Sequence, residues 1–267
     1  MMRIFCTICL CVYFSFQGWA ESDFKESFHL FLLLGQSNMA GYGVVLPEDQ
    51  RTMEDIYVLR DDVGKWNDFG WIEGRQPIQN RLKTDRFCLA GSFAKAYKEM
   101  YPRTSVGIIP MAWGGAPISK MSKGTPFYEE VLKKVRWAKE QGCLKAVLWH
   151  QGESDTVNPQ DTQLYKERLK TLIENLRTDL NEPNLPFIIG DLAEFYGTSP
   201  EHANSDRLER IAQVRKVLKE MSEDLPNVGY VPSIGLESHD SHQVHFNRAS
   251  YIVLGYRYFD VYWQLMK

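Results

Sequence analysis

A serine framed by glycines closes the first apolar run of the chain: residues 29–43 read HLFLLLGQSNMAGYG. A serine hydroxyl attacks an acyl carbon only when a base takes its proton. His245, far downstream in VHFNRASY, is the candidate base. The tetrahedral intermediate of such an attack needs hydrogen-bond donors for its oxyanion. The backbone N–H of Ser37 can supply one, a backbone N–H of Gly114 or Gly115 in AWGGAP a second, and the side-chain amide of Gln151 in WHQGESD a third. Asn38 can hold the serine turn or contribute to the hole. The chemistry these residues describe is acyl transfer through a serine, with no cofactor. Beyond the first twenty residues, which hold Cys6 and Cys9, no Cys-x-x-Cys or His-x-x-x-His spacing suggests a structural metal. Serine also favours turns for its own sake, so the choice depends on whether the other residues reach the same place.

The elements that would bring them there follow from apolar periodicity and Gly/Pro punctuation. Strands are expected at 29–34, 105–111, 144–150, 187–192 and 227–232. Helices are expected at 91–101, 127–141, 162–180, 207–221 and 249–265. Five alternations of strand and helix, joined by right-handed crossovers, imply a parallel sheet with helices on both faces. The expected architecture is a three-layer α/β/α sandwich with five parallel strands in one domain, residues 21–267. The strands are nearly continuous apolar runs, as a sheet covered on both faces requires. Residues 42–90 lack strong periodicity and read as an insertion that overhangs the active edge and shapes the substrate site.

Four loops then follow strands on one edge of that sheet: 35–39, 112–117, 150–155 and 237–247. Open α/β sheets place ligands at the carboxyl ends of their strands, so these loops describe one site. Gln36 and Glu153 read as supporting or substrate-binding residues, Glu153 chiefly as a buttress of the Ser37 loop. Trp113 is either core packing or a platform for a sugar. His150 reads as a core histidine. His239 and His242 read as solvated loop residues that can touch substrate, and Asp191 as an alternative third member of the catalytic set.

The 267 residues are 44% hydrophobic and 24% charged, ordinary for a folded protein. A net charge of -3 gives no electrostatic reason to expect a nucleic-acid partner. Aromatic residues make up 13%, which suits a carbohydrate ligand and a filled core equally. Residues 1–20, MMRIFCTICLCVYFSFQGWA, read as a secretory signal peptide, with Arg3 as the sole charge and an apolar run too short for a confident membrane span. An uncleaved N-terminal anchor is the alternative. A cleaved leader implies a secreted or periplasmic protein without a membrane attachment. It would remove Cys6, Cys9 and Cys11 and leave Cys88 and Cys143, read as two free thiols with a disulfide as the alternative.

GQSNMAG, WGGAPI, WHQGESD and VHFNRASYIVLGYRY together resemble the SGNH-hydrolase superfamily, and within it the branch of carbohydrate esterase family 6 and sialate O-acetylesterase-like proteins. The resemblance spans about residues 28–263. It implies a flavodoxin-like fold and a metal-free serine esterase that removes O-acetyl groups from sugars, acetylxylan and sialic acid being the substrate types. It implies Ser37 as nucleophile, His245 as base, and Gly114, Gly115 and Gln151 in the oxyanion hole. One position departs. The family usually carries Asp three residues before the histidine, where this chain has His242; Asp240 and Glu237 are the nearest upstream carboxylates. Asp240 can take the orienting role from a looped-out turn, or Ser37 and His245 work as a dyad with a backbone carbonyl. The third alternative is lost activity: a catalytically weak carbohydrate-binding protein on the same scaffold. A lipid esterase of the same superfamily is a further reading.

Overall fold

The computed structural model describes residues 25–61, 69–78, 86–200, 203–239 and 241–267. The leader-like segment and Asp240 lie outside the described residues.

Seven strands form one sheet. They are β1 (Phe28–Gly35), β3 (Met53–Arg60), β4 (Gly70–Gly74), β6 (Ser105–Ala112), β7 (Cys143–His150), β8 (Phe187–Gly190) and β9 (Val228–Val231), in the order β4-β3-β6-β1-β7-β8-β9. The short β2 (Gly43–Val44) and β5 (Arg86–Phe87) pair separately. The mostly parallel sheet between helical layers is the expected α/β/α sandwich, but its strand count is seven and not five. The two extra strands come from the segment read as an insertion. β3 pairs in parallel with β6, and β4 folds back antiparallel on β3. Only three or four of their residues alternate inward, so an edge hairpin of this kind carries little periodic signal.

The helices are α1 (Ser37–Ala40), α2 (Ala90–Met100), α3 (Pro126–Lys139), α4 (Pro159–Asp179), α5 (Ser205–Asp224) and α6 (Arg248–Leu265). Strand parity assigns them to faces. Phe31 of β1 points its ring at Phe93 and Tyr97 of α2 and at Tyr262 of α6. Phe28 points the other way, through Trp71 of β4 toward Trp137 of α3. On that second face α3 is tied to the end of α4 by Tyr128–Asp179, and α4 to α5 by Lys166–Glu220. Leu30, Phe31, Leu32 and Trp149 are fully buried between the layers, and each large apolar side chain so placed contributes roughly 1.5–3 kcal/mol. Side-chain caps start four long helices that follow loops: Thr125, Asn158, Asn204 and Asn247 each accept from a first-turn N–H. Cys88 and Cys143 are free thiols. Among the described residues no helix is long and apolar enough to cross a membrane.

Candidate functional site

β1 ends where its neighbours end. Gly35 stands opposite Ala112 of β6 and His150 of β7, so three of the four candidate loops leave the sheet side by side. The crossing at Gly35 is tight. Its φ of +152° and the carbonyl of His150, which a side chain would strike, admit no larger residue. Gln36 N–H then bonds to His150 O at 3.0 Å, and the chain turns into α1. As first residues of a helix, Ser37 and Asn38 have no carbonyl one turn back, and no acceptor takes either N–H among the described residues. Half-buried Gly114 and exposed Gly115, beyond β6, likewise give their N–H to no acceptor among the described residues. Open space adjoins Gly115, with no atom within 4 Å of where a side chain would begin.

The fourth loop brings the base. Glu237 and Ser238 lie against Phe246 and Asn247, bridged at Ser238–Phe246 and by Asn247 N–H to Glu237 O at 2.9 Å. His245 Nε2 lies 3.1 Å from Ser37 Oγ, across a separation of 208 residues. Asn38 holds the two together. Its Nδ2 donates to Val244 O at 3.0 Å, and its Oδ1 accepts from Phe246 N–H at 3.4 Å and from Tyr251 OH at 2.9 Å. The residue after the serine therefore grips the backbone on both sides of the histidine. The second Nδ2 hydrogen goes to Glu153 Oε1 at 2.6 Å. Both donors and both lone-pair sites of Asn38 are thereby used, which makes it a clamp and leaves it nothing for an oxyanion.

Glu153 is 3% exposed and its Oε2 has no partner. Burial pushes its carboxyl up to about 7, against the pull of the Asn38 hydrogen bond. Burial likewise raises Asp155 to about 6. Asp155 accepts from Ile118 N–H and from Gln151 Nε2, fastening the loop after β6 to the loop after β7. Gln36 Oε1 accepts from Gln151 Nε2 at 3.1 Å and lies within reach of the N–H groups of Gly152 and Ser154.

The expected residues thus separate into two groups. Ser37, His245, Gly114 and Gly115 face one another or open space. Gln36, Asn38, Glu153 and Gln151 are buried beneath them. Gln151, the expected oxyanion donor, directs its Nε2 to Gln36, Ala116 and Asp155 inside the fold. Trp113 is 43% exposed at the edge, its ring against Phe127. His150 is fully buried, bonded through Nδ1 to Tyr258 OH, and burial holds it down at about 3. Asp191 is committed to Arg215, at 2.6 Å from Nη2, and not to His245. Asp240, the expected orienting acid, lies outside the described residues, and His242 is exposed.

A cavity of about 490 Å³ adjoins His245, lined by Tyr42, Val44, Arg86, His239 and His242 among others. Tyr42 and Arg86 were not singled out in the sequence. The pair of glycines enclosing Tyr42, directly after the serine turn, was the available signal.

Comparison with known proteins identifies the family. A probable carbohydrate esterase of Arabidopsis thaliana is 35% identical over 179 residues, 60% of this chain and 66% of that protein. An Arabidopsis thaliana crystal structure is similar with a TM-score of 0.74 at 30% identity, covering 88% of this chain and 98% of the other. The structure of NanS shares the fold, with a TM-score of 0.70 at 15% identity over 91% of this chain and 98% of that one. Residues 27–264 match the carbohydrate esterase, sialic acid-specific acetylesterase family, and the chain belongs to that family of carboxylic ester hydrolases.

Proposed function

We propose that the protein is an exported serine esterase that removes O-acetyl groups from carbohydrate through an acyl-enzyme. The observation that carries this reading is the 3.1 Å approach of His245 Nε2 to Ser37 Oγ at the carboxyl edge of the sheet. In the proposed reaction His245 takes the Ser37 proton as the oxygen attacks the acetyl carbonyl. The oxyanion meets the free N–H groups of Ser37 and of Gly114 or Gly115. His245 then returns the proton to the departing sugar hydroxyl, and a water activated by the same nitrogen releases acetate. Asp240 remains the proposed orienting acid for His245. Gln151 supports the Gln36 turn in this reading.

The cavity wall bears on the sugar. Arg86, His239 and His242 line it beside His245. A guanidinium in the cavity wall suits a carboxylate. This supports an acidic, sialic-acid-type acetyl sugar over neutral acetylxylan. The test is acetate release from p-nitrophenyl acetate, O-acetylated sialic acid and acetylated xylan, by wild type and Ser37→Ala. The expected result is preference for the sialic acid ester and a loss of about 10³-fold or more in Ser37→Ala. Turnover that survives the substitution overturns the mechanism, and a preference for xylan overturns the acidic-sugar assignment.

A further inference from the structure

The structure assigns Tyr42 as the residue that positions the His245 imidazole, an inference that rests on the Ser37–His245 reading above. The two rings are stacked, with centroids 3.7 Å apart and planes 10° from parallel. The Arg86 guanidinium carbon also lies 3.7 Å from the Tyr42 centroid. Two groups that close to one ring centre cannot share a face, so Tyr42 is held between guanidinium and imidazole.

Its backbone is pinned as firmly. Gly41 has φ of +96°, and a side chain there would run into Phe87 O and Cys88. Gly43 packs against Arg248 and Tyr251 of α6, the helix that begins just after His245. β2 pairs Gly43 with Phe87 and Val44 with Arg86, which brings the cation to the ring. Asn38 fixes the backbone on either side of His245. It does not fix the plane of the ring, and the last torsion of a histidine is broad. A flat, clamped neighbour restricts that torsion and keeps Nε2 on Ser37 Oγ. The same π face is in place for the imidazolium that forms when His245 takes the serine proton.

Ser37, Tyr42 with Arg86 behind it, and His239 face His245, and His242 lines the same cavity. The His239 ring, its centroid 6.3 Å away, is too distant to stack in contact.

The experiment compares Tyr42→Phe, Tyr42→Trp and Tyr42→Leu with wild type and Ser37→Ala. It measures p-nitrophenyl acetate hydrolysis and the rate of labelling by a fluorophosphonate probe. Tyr42→Leu is expected to lower kcat about tenfold with KM within about twofold, and to slow labelling in parallel. Phe and Trp, which keep a flat ring, stay within about threefold of wild type whatever the melting temperatures do. Wild-type kcat in Tyr42→Leu, a loss confined to KM, or equal damage from Phe and Leu overturns the assignment. Labelling or turnover that persists in Ser37→Ala sinks the serine reading itself, and so distinguishes that failure from failure of the Tyr42 role.

Discussion

Two buried carboxylates stand just beyond adjacent parallel strands, and their surroundings are opposite. Asp191 follows β8, is 1% exposed and meets Arg215 through both carboxylate oxygens. Glu153 follows β7 and is 3% exposed; it accepts from the Asn38 amide, and among the described residues it meets no cation and its Oε2 has no partner. The first is a paired charge that joins a strand end to α5. The second is an acid that burial raises to about 7, sitting under the clamp between Ser37 and His245. A buried carboxylate with a guanidinium partner is ordinary structural practice. One without a cation is the more informative, since it persists here only as the support of a functional turn.

The largest expected effect is on stability against pH. The unfolded chain loses the Glu153 proton near 4.5, while the folded chain keeps it to about 7. Folded protein therefore loses stability as pH rises between those values and stays at the lower level above them. Glu153→Gln keeps an acceptor for Asn38 and does not titrate. Urea denaturation at pH 8 is expected to favour the variant by up to about 3 kcal/mol, with the two proteins converging at pH 4.5. Equal stability at pH 8 would break the comparison, because Glu153 would then be satisfied as a charge.

Next is the clamp. Asn38→Ala frees the backbone around His245 and removes the one partner of Glu153 Oε1. Steady-state kinetics on p-nitrophenyl acetate should give a kcat about 100-fold lower. A variant that folds and keeps wild-type kcat would reduce Asn38 to a turn residue. The smallest effect sharpens the other side. Asp191→Asn leaves Arg215, whose side chain is 32% exposed, facing a neutral amide. Thermal unfolding should register about 2 kcal/mol of destabilisation, below the value for a fully buried pair, with kcat unchanged. A matching fall in kcat would place Asp191 in the catalytic set after all.

Much of this was legible in one dimension. Continuous apolar runs bounded by Gly and Pro mark β1, β6, β7, β8 and β9, because strands covered on both faces have no polar side to show. Thr125, Asn158 and Asn204 mark helix starts for the local reason that a side-chain oxygen reaches a first-turn N–H. Ser37, Gly114 and Gly115 were identifiable because each follows a strand by a short turn, and His245 because its loop precedes the last helix; parallel strands bring their ends to one edge. The β3–β4 hairpin was not legible: its edge position and partial exposure leave the alternation weak.

What the amino-acid order determined by itself was therefore the layered sheet, its caps and which loops must meet. What only the tertiary structure decided was the division of labour inside the site. Gln151 was expected at the oxyanion and is turned inward to Gln36 and Asp155. Asn38 became a clamp on residues 206 and 208 positions away. Tyr42 met His245 face to face, and Asp191 found Arg215 where Glu153 found no cation. Local propensity and periodicity report on neighbours within a few residues. Hydrogen-bond direction, ring stacking and the pairing of buried charge depend on atoms that packing alone brings within 3 or 4 Å.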